Sequence, residues 1–295
     1  MQYIGEIAAI FAALTWAVAT WIYSQFSHKF SAMQMNIVKG IAASTMMLFV
    51  LPVLPLPELV LSPSHFWILA ISGVIGIAIG DSAYFAALKR IGANKTLLLE
   101  SLAPPLSGIL ALMVLGSALS GQSWLGVFVT TVAVTYVIFQ PNVNNQPTSI
   151  SGIGFGLLAS VCQATGVVIS HYALVAGDIP PLLGALIRLS IGVMVVFVVV
   201  VFVEKRPVAS MLAKLKQLKS RDRRWLLAAI FVGTFLALWL QQIALKHANP
   251  AVAQTLIATS PLFILMIYAW NGEPITKKNV IGTLGALFGI SLFFL

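Results

Sequence analysis

The sequence predicts an all-α membrane protein of ten transmembrane helices, arranged as two inverted five-helix repeats. Three observations carry that expectation. Of the 295 residues, 59% are hydrophobic and 8% charged, against roughly 25% charged in a soluble domain, and the mean hydropathy is +0.98. The apolar residues divide into about ten stretches of the roughly 20 residues that cross a hydrocarbon core. Two regions also repeat each other. Ala87-Leu88-Lys89 runs through Pro104 to Gly116, and Ala244-Leu245-Lys246 runs through Pro261 to Gly272; the prolines lie 157 residues apart and the glycines 156. Five spans per unit is an odd number, so two units in series lie in opposite senses across the bilayer. The first unit is placed at 1–140, the second at 151–295, with 141–150 as the linker.

In chain order the spans fall at about 4–24, 34–51, 65–88, 94–115, 121–140, 152–175, 180–203, 224–246, 250–270 and 278–295. Span 1 lacks a basic leader and a small-residue cleavage site, which indicates a retained helix and not a signal peptide. A proline-rich connection from Leu51 to His65 follows span 2. Span 3 carries Gly73, Gly76 and Gly80, and span 6 opens on Gly152, Gly154 and Gly156; small faces of this kind admit a second helix closely. A nucleotide loop is excluded at these glycines, because no strand precedes them and no Lys-Ser/Thr follows. In span 4, Pro104 and Pro105 remove the hydrogen bonds to the Glu100 and Ser101 carbonyls, and Pro261 in span 9 does so for Ile257. Carbonyls freed inside a membrane are tolerated only where protein buries them or a wet cavity meets them. These breaks therefore serve packing or line a cavity. The longest connection, from Glu204 to Arg223, has about 20 residues, too few for a soluble catalytic or receptor domain. The single Cys162 excludes an intramolecular disulfide and a Cys-based metal cluster.

The net charge is +9, yet eight of the 17 basic residues fall in one connection: Lys205, Arg206, Lys214, Lys216, Lys219, Arg221, Arg223 and Arg224. Such a cluster stays on the cytoplasmic side and meets anionic lipid headgroups, a better reading of the charge than nucleic acid. Loops after odd-numbered spans also hold Lys29, Lys89, Arg90, Lys95, Lys277 and Lys278, whereas loops after even-numbered spans hold only Lys246. The odd loops are thus expected in the cytoplasm, which puts both termini outside.

Gly272-Glu273-Pro274-Ile275-Thr276 is followed by Gly282 and Gly285, and it is echoed by Gly116-Ser117-Ala118-Leu119-Ser120 and Gly126. Together with two five-span units that each carry a proline, a long apolar helix and this punctuation, the whole chain resembles the EamA-type branch of the drug/metabolite transporter superfamily. Ser117 stands where that family usually has Glu, and its members are commonly pictured with both termini in the cytoplasm, opposite to the charge count. The resemblance implies a polytopic carrier that moves small metabolites, often amino acids or related compounds outward, without ATP and without a bound cofactor.

A charge near the bilayer centre costs about 3 kcal/mol on insertion scales, so each one is paired or used. Four stand out: Lys39, Asp81, Glu100 and Arg188. At about 1.5 Å per residue, the first three share one depth, about 9–12 Å from the same face. One reading is a buried ion pair, Lys39 with Glu100 or Asp81, that only fixes packing. In the other, one cation cannot neutralise two carboxylates, and the surplus acid takes up a proton or a cation. Arg188 has no acid in spans 7 to 10 apart from Glu273 at a helix end. It either reaches into the first half or holds an anionic group of the substrate by bidentate hydrogen bonds. Around these lie Asn36, Tyr84, Gln163, Gln241, Gln242 and Gln254; Tyr84 and Gln241 match under the 157-residue shift. They suit a neutral or zwitterionic solute, or they merely tie helices together. Trp16, Trp21 and Trp239 are candidates to line the path, while Trp67, Trp124, Trp225 and Trp270 suit interfacial anchors. His171 and His247 lack a second His or Cys at ligand spacing, so no metal site is assigned.

The expected function is a transporter that exports or exchanges small polar metabolites by alternating access, with proton coupling as one option. The substrate would sit between spans 2, 3 and 4 and their counterparts 7, 8 and 9. The alternative is flippase-like handling of an anionic lipid or lipid-linked metabolite through Arg188 and the basic loop. A membrane enzyme or channel fares worse, since the chain has no paired His/Asp motif, metal set or filter sequence. The expected partners are a small-molecule substrate and membrane lipids, with a homodimer left open, in a bacterial plasma (inner) membrane. Orientation is directly testable. An epitope tag at either terminus should react with an impermeant reagent on intact cells, and reaction only after permeabilisation contradicts the charge count.

Overall fold

The computed structural model describes residues 3–54, 61–107, 109, 121–139, 149–248, 250–273 and 275–294. Every regular element among them is helical. Helices α1 (Ile4–Phe26), α2 (Ala32–Val50), α3 (Pro63–Gly73) and α4 (Ser82–Glu100) lead to α5 (Gly121–Ile138). They are followed by α6 (Ile150–Ala176), α7 (Pro181–Val203), α8 (Pro207–Gln217), α9 (Ser220–Ile230) and α10 (Ala237–His247). The chain ends in α11 (Pro250–Ile257), α12 (Ser260–Trp270) and α13 (Lys277–Phe294). Among the described residues, seven stretches are long and apolar enough to cross a membrane: Ile4–Phe26, Ala32–Val53, Pro63–Glu100, Ile150–Ala176, Pro181–Val203, Ser220–His247 and Val252–Trp270. Trp124–Val137 is a shorter apolar helix. Much of the second part of span 4, the Gly116–Ser120 punctuation and most of the proposed linker lie outside the described residues.

Within the Pro63–Glu100 stretch the chain turns at Gly92, where φ is +78°. A side chain rarely adopts that conformation, and glycine adopts it without a Cβ penalty. The turn falls between the positions expected for spans 3 and 4. Two other segments are π-helical, Val74–Asp81 between α3 and α4 and Phe231–Leu236 between α9 and α10. Their first residues are 157 residues apart, the same shift that relates Pro104 to Pro261.

Large apolar side chains cover the outside, with Phe202 85% and Trp270 92% exposed, as suits a surface solvated by lipid. The interior is built from small ones. Helix α1 buries Ala8, Ala9, Ala12, Ala13, Ala17 and Ala19, which lets it lie along α10 and against α12. Lipid offers no hydrophobic drive between helices, so close van der Waals approach has to supply the adhesion. The glycine face foreseen on span 3 acts in this way. A Cβ on Gly73 would lie 2.3 Å from the Arg188 carbonyl oxygen, and one on Gly80 3.0 Å from Cys162 Cβ. Helix α2 packs on α7, α4 on α6, α1 on α10 and α5 on α13.

Polar contacts gather at the two ends. At one end Lys29 pairs with Asp222 at 2.7 Å. Nearby, Ser31 Oγ and Gln34 Nε2 each donate to Glu204 at 2.6 Å, and Lys214 Nζ donates to Gln34 Oε1 at 2.7 Å. At the other end Gly5 meets Ala248 and Lys246 pairs with Asp178 at 2.7 Å. The hydrogen bond from Lys246, followed by its charge, holds the exposed Asp178 carboxyl below the usual carboxylate range.

The basic connection departs from the expected loop. Pro207 opens α8 after Arg206 in a left-handed conformation, and Val208, Met211, Leu212 and Leu215 recur at the spacing of an amphipathic helix. Ser220, not residue 224, starts the next span, so Arg221, Arg223 and Arg224 belong to its opening turns.

Gly73→Ala tests the close packing, because the added methyl meets backbone that has to move. It should destabilise the fold by about 1–3 kcal/mol, seen as a lower melting temperature in detergent. Gly154→Ala, whose Cβ would meet nothing within 4 Å, should melt with the wild type.

Candidate functional site

Helix α2 places Asn36 and Lys39 three residues apart, hence on one face, toward the end of the first π turn. Asn36 Nδ2 donates to the Ile77 carbonyl at 2.8 Å and to Ser82 Oγ at 2.9 Å. Lys39 forms an ion pair with Asp81, the last residue of that turn. The sequence left Lys39 open to either acid, and the fold pairs it with Asp81. The Lys39 side chain is 1% exposed. It lies 5.2 Å from the Phe85 ring centroid and 5.8 Å from that of Trp16, close enough for their faces to attract the cation.

Glu100, at the end of α4, accepts a 2.9 Å hydrogen bond from Trp16 Nε1. Among the described residues it has no ion-pair partner, so it is the surplus acid. Two adjoining cavities meet at its side chain. One, of about 40 Å³, is bordered by Trp16, Lys39, Asp81, Glu100, Gln163 and Gln241, with Gly233 of the second π turn. The other, of about 20 Å³, is bordered by Glu100, Gln163, Gln241, Gln254, Pro104 and Pro261. Both halves of the chain contribute to each.

The two helix breaks flank this space. A turn at residues 101–102 precedes Pro104, and one at 258–259 precedes the helix containing Pro261. The Ile257 carbonyl that Pro261 frees accepts from Ser260 Oγ at 2.7 Å. Ser107 Oγ, beyond the first break, donates at 3.0 Å to Gln254 Oε1 in α11, the helix before the second. The segments beside the two breaks are thus tied to each other.

Not every candidate joins the cavity. Tyr84 is buried, hydrogen-bonded to Thr20 at 2.6 Å, with its ring 5.0 Å from that of Trp16. It supports Trp16 and does not border the cavity. Pro105 is buried without bordering it either. Arg188 is 2% exposed and does reach the first half, but to the glycine face and not to an acid. A Cβ on Gly76 would lie 3.2 Å from its Nη2, and its Nε and Nη1 have no hydrogen-bond partner among the described residues. The acid partners of Trp16 and Trp21 were missed. Trp21 Nε1 donates to Glu273 Oε1 at 2.8 Å, so α1 offers an indole N–H to each of two carboxylates. The signal available in the sequence was the need of a buried indole N–H for an acceptor.

The EamA-like transporter family matches residues 3–139 and 150–295. The chain belongs to the EamA-like transporter family. It is 23% identical over 290 residues to an uncharacterized transporter of Archaeoglobus fulgidus, covering 98% of this chain and 97% of that one. A solved structure, titled only as the crystal structure of a protein, superposes with a TM-score of 0.70 at 12% identity, covering 99% of this chain and 96% of the other. That likeness concerns the fold. This EamA-like protein is an integral membrane transporter of small solutes.

Lys39→Met would leave Asp81 without its cation, and removing one partner of a buried pair costs about 3–5 kcal/mol. Thermal unfolding in detergent should show that loss. The double variant Lys39→Met/Asp81→Leu should recover most of it, and no recovery would mean that the pair does not hold α2 to the π turn.

Proposed function

We propose that the protein exports or exchanges a small polar metabolite of the amino-acid class by alternating access, with Glu100 as the proton-coupling group. The observation that carries this reading is an unpaired carboxylate facing a polar cavity beside the Lys39–Asp81 pair, at the meeting of the two halves. Cavities of about 40 and 20 Å³ hold single waters, whereas ligand sites occupy roughly 300–1,000 Å³. A solute can therefore be accommodated only after the helices around Glu100 separate. The broken helices at Pro104 and Pro261 are suited to that movement, since each has already lost a backbone hydrogen bond.

An inverted repeat of two five-helix units, 1–140 and 151–295, supplies the geometry. Exchange of the halves turns the α1–α10 contact into the α6–α4 contact and maps α2–α7 and α5–α13 onto themselves, and the π turns keep the 157-residue shift. These correspondences support a pseudo-twofold axis in the membrane plane. The cationic end faces the cytoplasm of the plasma membrane on the same reading.

Coupling follows from competition. The ammonium of an amino-acid-like solute and a proton both neutralise Glu100, so only one occupies it at a time. Release of the solute on one side and of the proton on the other then links the two flows. Gln163, Gln241 and Gln254 offer amide groups to the uncharged or carboxylate part of the solute, and Trp16 positions Glu100. In vesicles with an imposed pH gradient, a panel of labelled amino acids should identify the cargo. For that cargo, Glu100→Gln should lose pH-driven flux to the level of empty vesicles, and Asp81→Asn should lose it too. Wild-type flux in Glu100→Gln would refute the proposal.

A further inference from the structure

A second space, of about 760 Å³, opens on the outer surface between α2, the π turn with α4, α6 and α7. It shares no bordering residue with the polar cavity around Glu100. Its walls are mostly small or aliphatic, with Ala78, Ala83 and Ala86 from the π turn and α4, and Val195, Val199 and Val203 from α7. Ile79 and Val199 are exposed along it, so in a bilayer it is open to acyl chains. From Ala78 to Lys89 the helix rises roughly 15 Å, half of a hydrocarbon core of about 30 Å. The groove is as deep as one leaflet.

Its mouth lies at the cationic end and carries Lys89 and Arg90, with Ser31 and Glu204. Glu204 already accepts from Ser31 and Gln34, so its acceptors are turned toward the protein. Lys89 is exposed and makes no hydrogen bond or ion pair among the described residues. Arg90 is held in place, with Nη1 donating to the Ala86 carbonyl at 2.8 Å and the guanidinium 4.7 Å from the Phe155 ring centroid. Its remaining N–H groups are available to a phosphate, for which a planar guanidinium is well matched.

We propose that this groove is the seat of a resident anionic phospholipid from the leaflet at the cationic end. Its acyl chain lies between α4, α6 and α7, and its phosphate sits on Lys89 and Arg90. The lipid is a structural ligand and not cargo, because the groove and the polar cavity have separate walls. The inference stands independently of what the cavity carries.

The full chain, purified in detergent, is exposed to equimolar phosphatidylglycerol and phosphatidylcholine, and retained lipids are counted by native mass spectrometry. The wild type should retain phosphatidylglycerol in preference. Lys89→Gln/Arg90→Gln should weaken that preference roughly thirtyfold, as expected for two cations at an anionic headgroup. Val199→Trp, which fills the groove from an exposed position, should retain one lipid fewer while keeping the wild-type melting temperature in lipid-free detergent. Equal retention of the two lipids by the wild type, an unchanged preference in the double variant, or an unchanged count in Val199→Trp each overturns the proposal. So does a stable dimer without retained lipid, which would assign the groove to a second copy.

Discussion

Burial of the Lys39–Asp81 pair constrains everything placed around it. Taking two ions out of water costs several kcal/mol each, and their attraction repays it only when geometry and neighbouring groups cooperate. Here Phe85 and Trp16 face the ammonium, and Asn36 fastens the π turn from which Asp81 extends. The pair commits α2, the π turn and α4 to one arrangement. It also leaves Glu100 in the same cavity without a cation, which is the origin of the proposed coupling chemistry.

Close approach is the second constraint, and it reinforces the first. Gly73 brings the end of α3 against the α7 backbone at Arg188, while Gly76 of the π turn meets the Arg188 side chain and Gly166 of α6. In the other half Gly233 sits in the second π turn, where a Cβ would lie 1.9 Å from Ala19 Cβ of α1. Both π turns border the polar cavity, through Asp81 and Gly233. Departures from α-helical geometry of this type concentrate where a helix is used for more than spanning. The energetic burden is offset by the tight contacts that the glycines permit.

The two halves of the chain bring different chemistry to the cavity. The first supplies Lys39, Asp81 and Glu100, and the second supplies the glutamines and Gly233 to the same space. Arg188 lies against the glycine face and does not border the cavity. Under the proposed function, charge on one side and amides on the other would hold a solute at two distinct ends.

Composition and spacing determined the helical membrane class, and they marked the polar groups and prolines that border the cavity. Lys39, Asp81, Glu100, Gln163, Gln241, Gln254, Pro104 and Pro261 were all legible, because polar groups and prolines within apolar spans are costly and so stand out. What lay beyond the sequence was partnership. Lys39 had two acids within reach by depth, and only the π turn decided for Asp81. Arg188 was legible as an intramembrane charge, yet its place against Gly73 and Gly76 depends on how α7 crosses α3. The acceptors of Trp16 and Trp21 lie 84 and 252 residues away in sequence, and helical periodicity reports only which residues share a face. The identity of the facing helix is set by packing of the whole bundle, so pairing belongs to the tertiary structure, while the cost of burying each polar group is written in the chain itself.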